Sequence, residues 1–323
     1  MKIVLITPEG PTSRTGNRVA ASRWARILRR LGHRVRVASD YDGQPADLMV
    51  AVHAWRSAAA IERFKSKYPA RPVVLQLSGT DIYHYIDIAP AATLRAMELA
   101  DRLVALNDLA RRVVPKRLRA RLSVIHQSAQ PLPSPRRPSR GTVVVAVIGH
   151  LRDVKDPLRA AKAARLLPAD SRVRIEQVGR AYTPHWAARA RAEMAANPRY
   201  FWRNDVPAAA VRRLLARSHA MVISSFSEGG ANVISEAAVA GVPVLASRVD
   251  GNIGLLGATY PGYFPVGDTQ ALARLLRRVE CEPRFVARLG RALARRAPLF
   301  RPAREIAAWR RLLAMLRHQR RTE

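Results

Sequence analysis

The stretch AMVISSFSEGGANVISEAAVAGVPVLAS, residues 220–247, passes from one apolar run through a serine- and glycine-rich turn, a small-residue helical pattern and a second apolar run. AMVISS and PVLAS are short and rich in aliphatic residues, the composition of strands covered on both faces, so the segment reads as one strand–helix–strand unit. If the helix begins near Ala231, then Val233, Ile234, Ala237, Ala238 and Gly241 fall in one sector that packs on a sheet. Asn232 and Glu236 then lie together outside that sector, one turn apart and about 6 Å along the axis. Glu228 and the Gly229-Gly230 pair come just before the helix mouth. A helix N-terminus presents free N–H groups and the positive end of a dipole. The spacing therefore suits a nucleotide diphosphate laid along the helix, with backbone N–H groups near residues 229–232 on the phosphate and Glu236 accepting from both ribose hydroxyls.

The same alternation runs outward in both directions. KIVLITP, RVRVAS, DLMVAVH, RPVVLQLS, RLVALN and LSVIHQ precede residue 130, and TVVVAVIG, VRIEQVG, RYFWRN, AMVISS, PVLAS and YFPV follow residue 141, with helical patterns such as 156–167, 207–218 and 268–278 between strands. The first helix is read after Gly16, with Ala20, Trp24, Ile27, Leu28 and Leu31 on one face and Gly32 ending it. Between the halves, residues 131–141 (PLPSPRRPSRG) hold four prolines without apolar periodicity, a stiff linker. The expected organisation is an N-terminal Rossmann-like acceptor domain over 1–130, the linker over 131–141, a second, nucleotide-sugar-binding Rossmann-like domain over 142–300 and a C-terminal helix over 301–323 bracing the domains. In that helix Ile306, Trp309, Leu312, Leu313 and Leu316 recur at helical spacing.

At 323 residues and 48% hydrophobic composition the chain has material for two packed cores. Its formal charge of +32 points to anionic ligands or surfaces without choosing among them. Arginine makes up 50 of the 56 basic residues and is spread over most helices instead of gathered in a tail, so much of the charge reads as solvated helix faces. A zinc-finger spacing, an RNP string and a basic–aromatic repeat are all missing, so no specific nucleic-acid partner is expected. The single cysteine, Cys281, excludes an internal disulfide framework and fits a reducing, cytoplasmic setting. The opening apolar run is too short for a signal peptide, and no later run reaches the length of a membrane span. Asp40-Tyr41-Asp42 is the one Asp-x-Asp and reads as a turn, so no metal site is expected.

In open α/β sheets ligands bind where strands end and helices begin. Besides the 228–236 turn, two others qualify. PEGPTSRTGNRV, residues 8–19, carries Gly10, Gly16, Arg14 and Arg18 but lacks both the dinucleotide fingerprint and the P-loop lysine. GHLRDVKDP, residues 149–157, places Arg152 and Lys155 within one turn of an expected helix start, where their charge adds to the dipole.

EGGANVISEAAVAGVPVLAS resembles the E-x7-E region of the GT-B glycosyltransferases of family 4, and GHLRDVKDP resembles their diphosphate turn. The likeness covers nearly the whole chain. Within that family, the strings at 15–35, 149–168 and 250–272 are most similar to the selenosugar synthases of selenoneine biosynthesis. The resemblance implies an α/β GT-B fold, two Rossmann-like parallel-sheet domains facing a central cleft, and transfer of a sugar from a UDP-sugar such as UDP-N-acetylglucosamine to the selenium of selenophosphate. By position, Glu236 would hold the ribose, Glu228 with Gly229, Gly230, Ala231 and Asn232 the sugar and β-phosphate, and Lys155 the diphosphate. Gly16, Asn17, His150 and Arg152 complete the donor set, and Asp81 stands where the family approaches the reacting sugar, either to orient a hydroxyl or merely to cap a turn. His150 replaces the family's usual arginine, which leaves Arg152 to supply that charge, and Gly229-Gly230-Ala231 replaces its Gly-Phe-Gly.

No cofactor or metal is expected, since Arg152, Lys155 and a helix N-terminus can meet the charge that develops on the leaving diphosphate. A selenium acceptor is largely ionised near neutral pH and needs no strong general base, only aim and positive charge. Arg14, Arg18, His53, Arg56 and Thr80, on loops at strand ends of the N-terminal half, form the expected acceptor set. A conventional family 4 transferase acting on a lipid or polysaccharide is the alternative, with peripheral membrane contact through the arginine-rich helices, an attachment the lack of a strongly apolar exposed stretch disfavours. A nucleic-acid-binding protein is the more distant alternative.

Overall fold

The computed structural model describes residues 1–13 and 15–322, with side chains described through residue 317. It divides into two compact units. In the first, β1 (Lys2–Ile6), α1 (Gly16–Arg30), β2 (Arg34–Ala38), β3 (Leu48–Val52), α2 (Ala54–Lys67) and β4 (Val73–Gln76) are followed by a π-helical turn, Asp81–Tyr85. That turn runs into α3 (Ile86–Ile88), α4 (Pro90–Leu99), β5 (Arg102–Ala105) and β6 (Leu122–Val124). The strands form one parallel sheet in the order β2-β1-β3-β4-β5-β6.

The second unit comprises β7 (Val143–Ile148), α5 (Arg159–Arg165), β8 (Val173–Val178), α6 (Pro184–Ala196), β9 (Tyr200–Trp202), α7 (Ala208–Arg217) and β10 (Ala220–Ile223). It continues with α8 (Asn232–Ala240), β11 (Val244–Ser247), α9 (Asp250–Leu256), β12 (Tyr263–Phe264), α10 (Thr269–Cys281) and α11 (Pro283–Arg296). Its sheet is again parallel, in the order β12-β11-β10-β7-β8-β9. This is the doubly wound order, whose direction of winding reverses between β7 and β10. The reversal in the first unit falls between β1 and β3. Strands alone cannot announce these two points, yet they decide which loops lie side by side.

The pleat explains why β3, and β1 after Lys2, are apolar throughout. Val4 and Ile6 point to a core shared with α2 and α4, whereas Ile3 and Leu5 point to the opposite core, where Trp24 of α1 and Trp309 of α12 (Pro302–Thr322) pack. The terminal helix belongs to the first unit. Its Trp309 ring meets Trp24 edge to face at 4.7 Å, a geometry worth about 0.5–1.5 kcal/mol beyond the area buried. The proline-rich segment is tied to the second unit, where Arg137 N–H and Ser139 N–H donate to the carbonyls of Ala216 and Arg217 at the end of α7. Among the described residues no helix is long and apolar enough to cross a membrane.

Candidate active site

The reversal in the second sheet sets the loop after β7 beside the loop after β10. Here the expectation for Arg152 and Lys155 changes. No helix starts beside them: Asp153–Lys155 form a single 3₁₀ turn, Asp156 is left-handed (φ 44°), and α5 begins only at Arg159. Pro157 explains the break, since the residue before a proline is pushed out of the helical region. The dipole contribution read for this turn is therefore absent, and its charge rests on the side chains alone. The backbone is fastened to the neighbouring loop instead. Phe226 N–H donates to Val154 O at 2.9 Å, and the Ser224 hydroxyl donates to the carbonyls of Lys155 (3.2 Å) and Asp156 (2.9 Å).

This fastening delivers the Lys155 ammonium to Glu228 at 2.5 Å. Glu228 is 7% exposed and takes a second hydrogen bond from Ser225 Oγ, also at 2.5 Å. An ammonium has three N–H bonds, so Lys155 keeps donors for an anion while one is spent on the carboxylate. Behind Glu228, Gly251 approaches so closely that an added Cβ would lie 1.7 Å from the Glu228 carbonyl oxygen. Asn252 donates to Ser247 O at 2.9 Å, and Ser247 Oγ to Ser225 O at 2.6 Å, which ties the start of α9 to the same loop. Ser224, Ser225, Ser247, Gly251 and Asn252 were not singled out from the sequence. The serine-rich run before Glu228 was the available signal.

α8 begins at Asn232, one residue after the expected start, and the Asn232 amide donates to Glu236 at 2.7 Å. The two share a stripe, as the helical spacing requires. The buried face is rotated slightly from the expectation, for Ser235 is buried with Ile234, Ala237 and Ala238 while Val233 is only partly covered. His150 and Arg152 both lie around Tyr182, with ring centroids 6.3 Å apart for the histidine and the guanidinium 5.8 Å above the ring.

In the first unit, the reversal places the ends of β1 and β3 together. His53 follows β3 directly and holds φ 78°, an unusual conformation for a side chain of its size. Its Nδ1 lies 2.6 Å from Asp81 Oδ1 and its Nε2 3.0 Å from the Thr80 hydroxyl. Asp81 is fully buried and also takes the N–H groups of Ala54, Trp55 and Ser78 at 2.8–3.2 Å. Four donors saturate a carboxylate. Of the two roles expected for Asp81 the capping one fits these contacts: it caps α2 and holds His53. The π-helical turn begins at Asp81, and a π-turn is a second departure from regular backbone within the same cluster.

The remaining expected acceptor residues scatter. Arg56 is half-exposed and paired with Glu9 at 3.0 Å, so its charge is already matched. Arg18 lies in the first turn of α1 with its Nε buried and unpartnered. Arg14 lies outside the described residues. Gly16 opens α1, and the Asn17 amide oxygen accepts from Ser78 Oγ at 3.0 Å, itself bonded to Gln76. Asp40 and Asp42 pair with Arg63 and Arg36, and no group of three metal-ligating side chains occurs among the described residues.

The glycines of the turn have a steric reason. Gly229–Ala231 belong to the first unit, where a Cβ on Gly229 would lie 2.2 Å from Gly79 N and one on Gly230 would lie 2.3 Å from Leu106 Cβ. Neither position has room for a side chain.

A profile of the glycosyl transferases group 1 family matches residues 134–296, just over half of the sequence. The chain belongs to that family. Among solved structures this transferase is similar in fold to HepE of Anabaena in complex with UDP, with a TM-score of 0.79 at 17% identity over 98% of this chain and 100% of that one. Sucrose-phosphate synthase of Thermosynechococcus elongatus gives 0.76 at 14% identity over 98% and 99%, and a glycosyltransferase of Rickettsia africae gives 0.71 at 12% over 98% of each. A search of curated protein sequences found no match. The transferase thus has the GT-B fold, two six-stranded parallel sheets flanked by helices.

Proposed function

We propose that this transferase moves a sugar from a UDP-sugar, UDP-N-acetylglucosamine or a close relative, to the selenium of selenophosphate in the cytoplasm. The observation that carries the donor half is the pairing of Glu228 with Lys155 beside a helix whose Asn232 and Glu236 share one stripe. A carboxylate for sugar hydroxyls, an ammonium for the diphosphate and a second carboxylate one turn further on for the ribose match a nucleotide sugar in order and charge. HepE, of the same fold, has been solved with UDP and with UDP-glucose, which supports this choice of donor.

In the reaction the C1–O bond to the β-phosphate breaks, a C1–Se bond forms, and UDP leaves with the electron pair. Lys155 and Arg152 meet the charge on the departing diphosphate, with backbone N–H groups at residues 229–232 beside it. Later attack of water on phosphorus releases phosphate and leaves the selenosugar. The acceptor half rests on the resemblance of residues 15–35, 149–168 and 250–272 to selenosugar synthases and on the anionic, pre-ionised character of selenophosphate. Thr80 and His53, held by Asp81, orient the acceptor, and Arg18 supplies charge.

Incubating the protein with UDP-N-acetylglucosamine and selenophosphate, followed by mass spectrometry, is expected to show a selenium isotope pattern on a hexosamine and stoichiometric UDP. UDP release that depends on a lipid or polysaccharide acceptor, with no seleno-hexosamine, would replace the selenium reading by that of a conventional transferase.

A further inference from the structure

The outer face of α11 carries charge that the rest of its unit does not answer. Arg284, Arg288, Arg291 and Arg295 follow one another at intervals of four, three and four residues, which on a helix sets them in one sector about 60° wide and about 17 Å long. All four are exposed. α11 holds no aspartate or glutamate, and none of the four arginines makes an ion pair among the described residues. The acids just before the helix are already matched, Glu282 by Arg278 at 3.0 Å and Glu280 by Arg277 at 2.9 Å. Elsewhere exposed arginines find partners on the chain, as Arg36 does in Asp42, Arg117 in Glu98 and Arg165 in Glu193. Like charges three and four residues apart on a helix repel, so the stripe works against the stability of α11 unless an anion lies on it.

The opposite face of the helix is spent. Phe285, Leu289, Ala292 and Leu293 are buried, and α11 packs on α8, α9 and α10. A helix that lies in a membrane interface needs such an apolar face for the lipid, and here none is left over. The other exposed residues of α11 are Pro283, Ala287 and Ala294, so the face has no aromatic ring on which an unpaired base could stack. Held down on one side, α11 cannot enter a groove as a recognition helix does. It presents a line of guanidiniums, each able to take a phosphate through two N–H bonds. The phosphate row of a duplex fits that line, being regularly spaced, anionic throughout and reachable from one side.

We propose that the stripe Arg284, Arg288, Arg291 and Arg295 is a docking surface for the sugar–phosphate backbone of a nucleic-acid duplex, bound without regard to sequence. The surface lies wholly within the second unit and shares no residue with the donor and acceptor sets named above.

The test is fluorescence anisotropy with a labelled DNA duplex of about 20 base pairs, titrated from about 50 to about 200 mM salt. Wild type is compared with a stripe variant in which Arg284, Arg288, Arg291 and Arg295 are all changed to Gln. A control variant, with Arg26, Arg30, Arg111 and Arg112 changed to Gln, removes the same charge from exposed positions of the first unit. Each phosphate neutralised contributes about −0.9 to the slope of log K against log salt, so the stripe variant is expected to lose about 3.6 from the slope and to bind at least about 10-fold more weakly at low salt. The control is expected to stay near wild type, and a second duplex of unrelated sequence to bind within about 2-fold of the first. Arg288 lies 5.5 Å from the Phe285 ring centroid, and its loss could loosen the helix. The double variant Arg284→Gln with Arg295→Gln leaves that contact in place and should lose about 1.8 from the slope with an unchanged melting temperature. Equal losses in the stripe and control variants would show a general effect of net charge and overturn the docking surface, as would wild-type protein that leaves the duplex unbound. Sedimentation with vesicles containing phosphatidylserine supplies the last arm: a stripe whose removal weakens vesicle binding more than duplex binding belongs to a membrane surface instead.

Discussion

Replacing Gly251 by alanine adds one methyl group at the back of Glu228, and the consequence can be worked from distances. The new Cβ would start 1.7 Å from the Glu228 carbonyl oxygen, 2.5 Å from its carbon and 2.8 Å from Glu228 Cβ, where contacts under 3.0 Å are essentially never tolerated. The two backbones must part by about 1.3 Å. α9 cannot easily give way, because Asn252 and Ser247 bind its first turn to the loop. The shift falls on Glu228 and stretches its 2.5 Å contacts to Lys155 and Ser225. Overpacking of this kind costs about 1–3 kcal/mol, or about 2–12 °C in melting temperature for a unit of this size. A displacement near 1 Å in a catalytic group costs about 10²-fold in rate. Steady-state UDP release and differential scanning fluorimetry read both quantities. Gly290→Ala is the control: it lies within α11, a Cβ there meets nothing within 4 Å, and it is expected to leave activity alone and raise stability by up to about 1 kcal/mol. Wild-type kcat/KM in Gly251→Ala would refute the reasoning, since no packing defect that large can leave a working Glu228 in place.

Lys155→Ala is expected to lower kcat by about 10²-fold, the scale of one electrostatic contact in a transition state, and wild-type turnover in stopped UDP-release assays would remove Lys155 from the chemistry. Glu176 offers a pH prediction. Burial raises its pKa, but the guanidiniums of Arg217, Arg203 and Arg174 outweigh that and hold it below the usual glutamate value. A depressed folded pKa gives stability that is present above the unfolded pKa and lost as pH falls toward the folded one. Urea midpoints should therefore drop as the pH is taken below about 4.5, and Glu176→Gln should start lower at pH 7 and fall less steeply; parallel curves would sink the assignment.

The sequence located the twelve strands of the described residues, the central ones as apolar runs covered on both faces and edge strands such as β2 (RVRVA) as short β-branched runs between helical patterns. It also placed Asn232 and Glu236 on one stripe, a relation internal to a single helix. What it missed depends on folding in three dimensions. His53 and Asp81 are 28 positions apart, and nothing in HAW or GTD announces that a carboxylate will cap the next helix and hold the ring. Arg56 was read as an acceptor contact, and only the structure shows Glu9 against it. Arg152 and Lys155 stand before a helix start that Pro157 defers to Arg159, a break that the proline itself signals. Glu305 bears no local mark at all, since its bonds to Arg23 and the Trp24 indole exist only once α12 returns to α1.

That return has a consequence for synthesis. Residues 1–127 leave the ribosome with Trp24 and the apolar side of the sheet uncovered, and the cover, Trp309 with Leu312, Leu313 and Leu316, follows only after the whole second unit has been made. At about 5–20 residues per second the nascent chain carries that open surface for about 10–35 s before that helix emerges. The newly made N-terminal half is thus a client for holding chaperones until then, and deletion of residues 304–316 is expected to yield an aggregate.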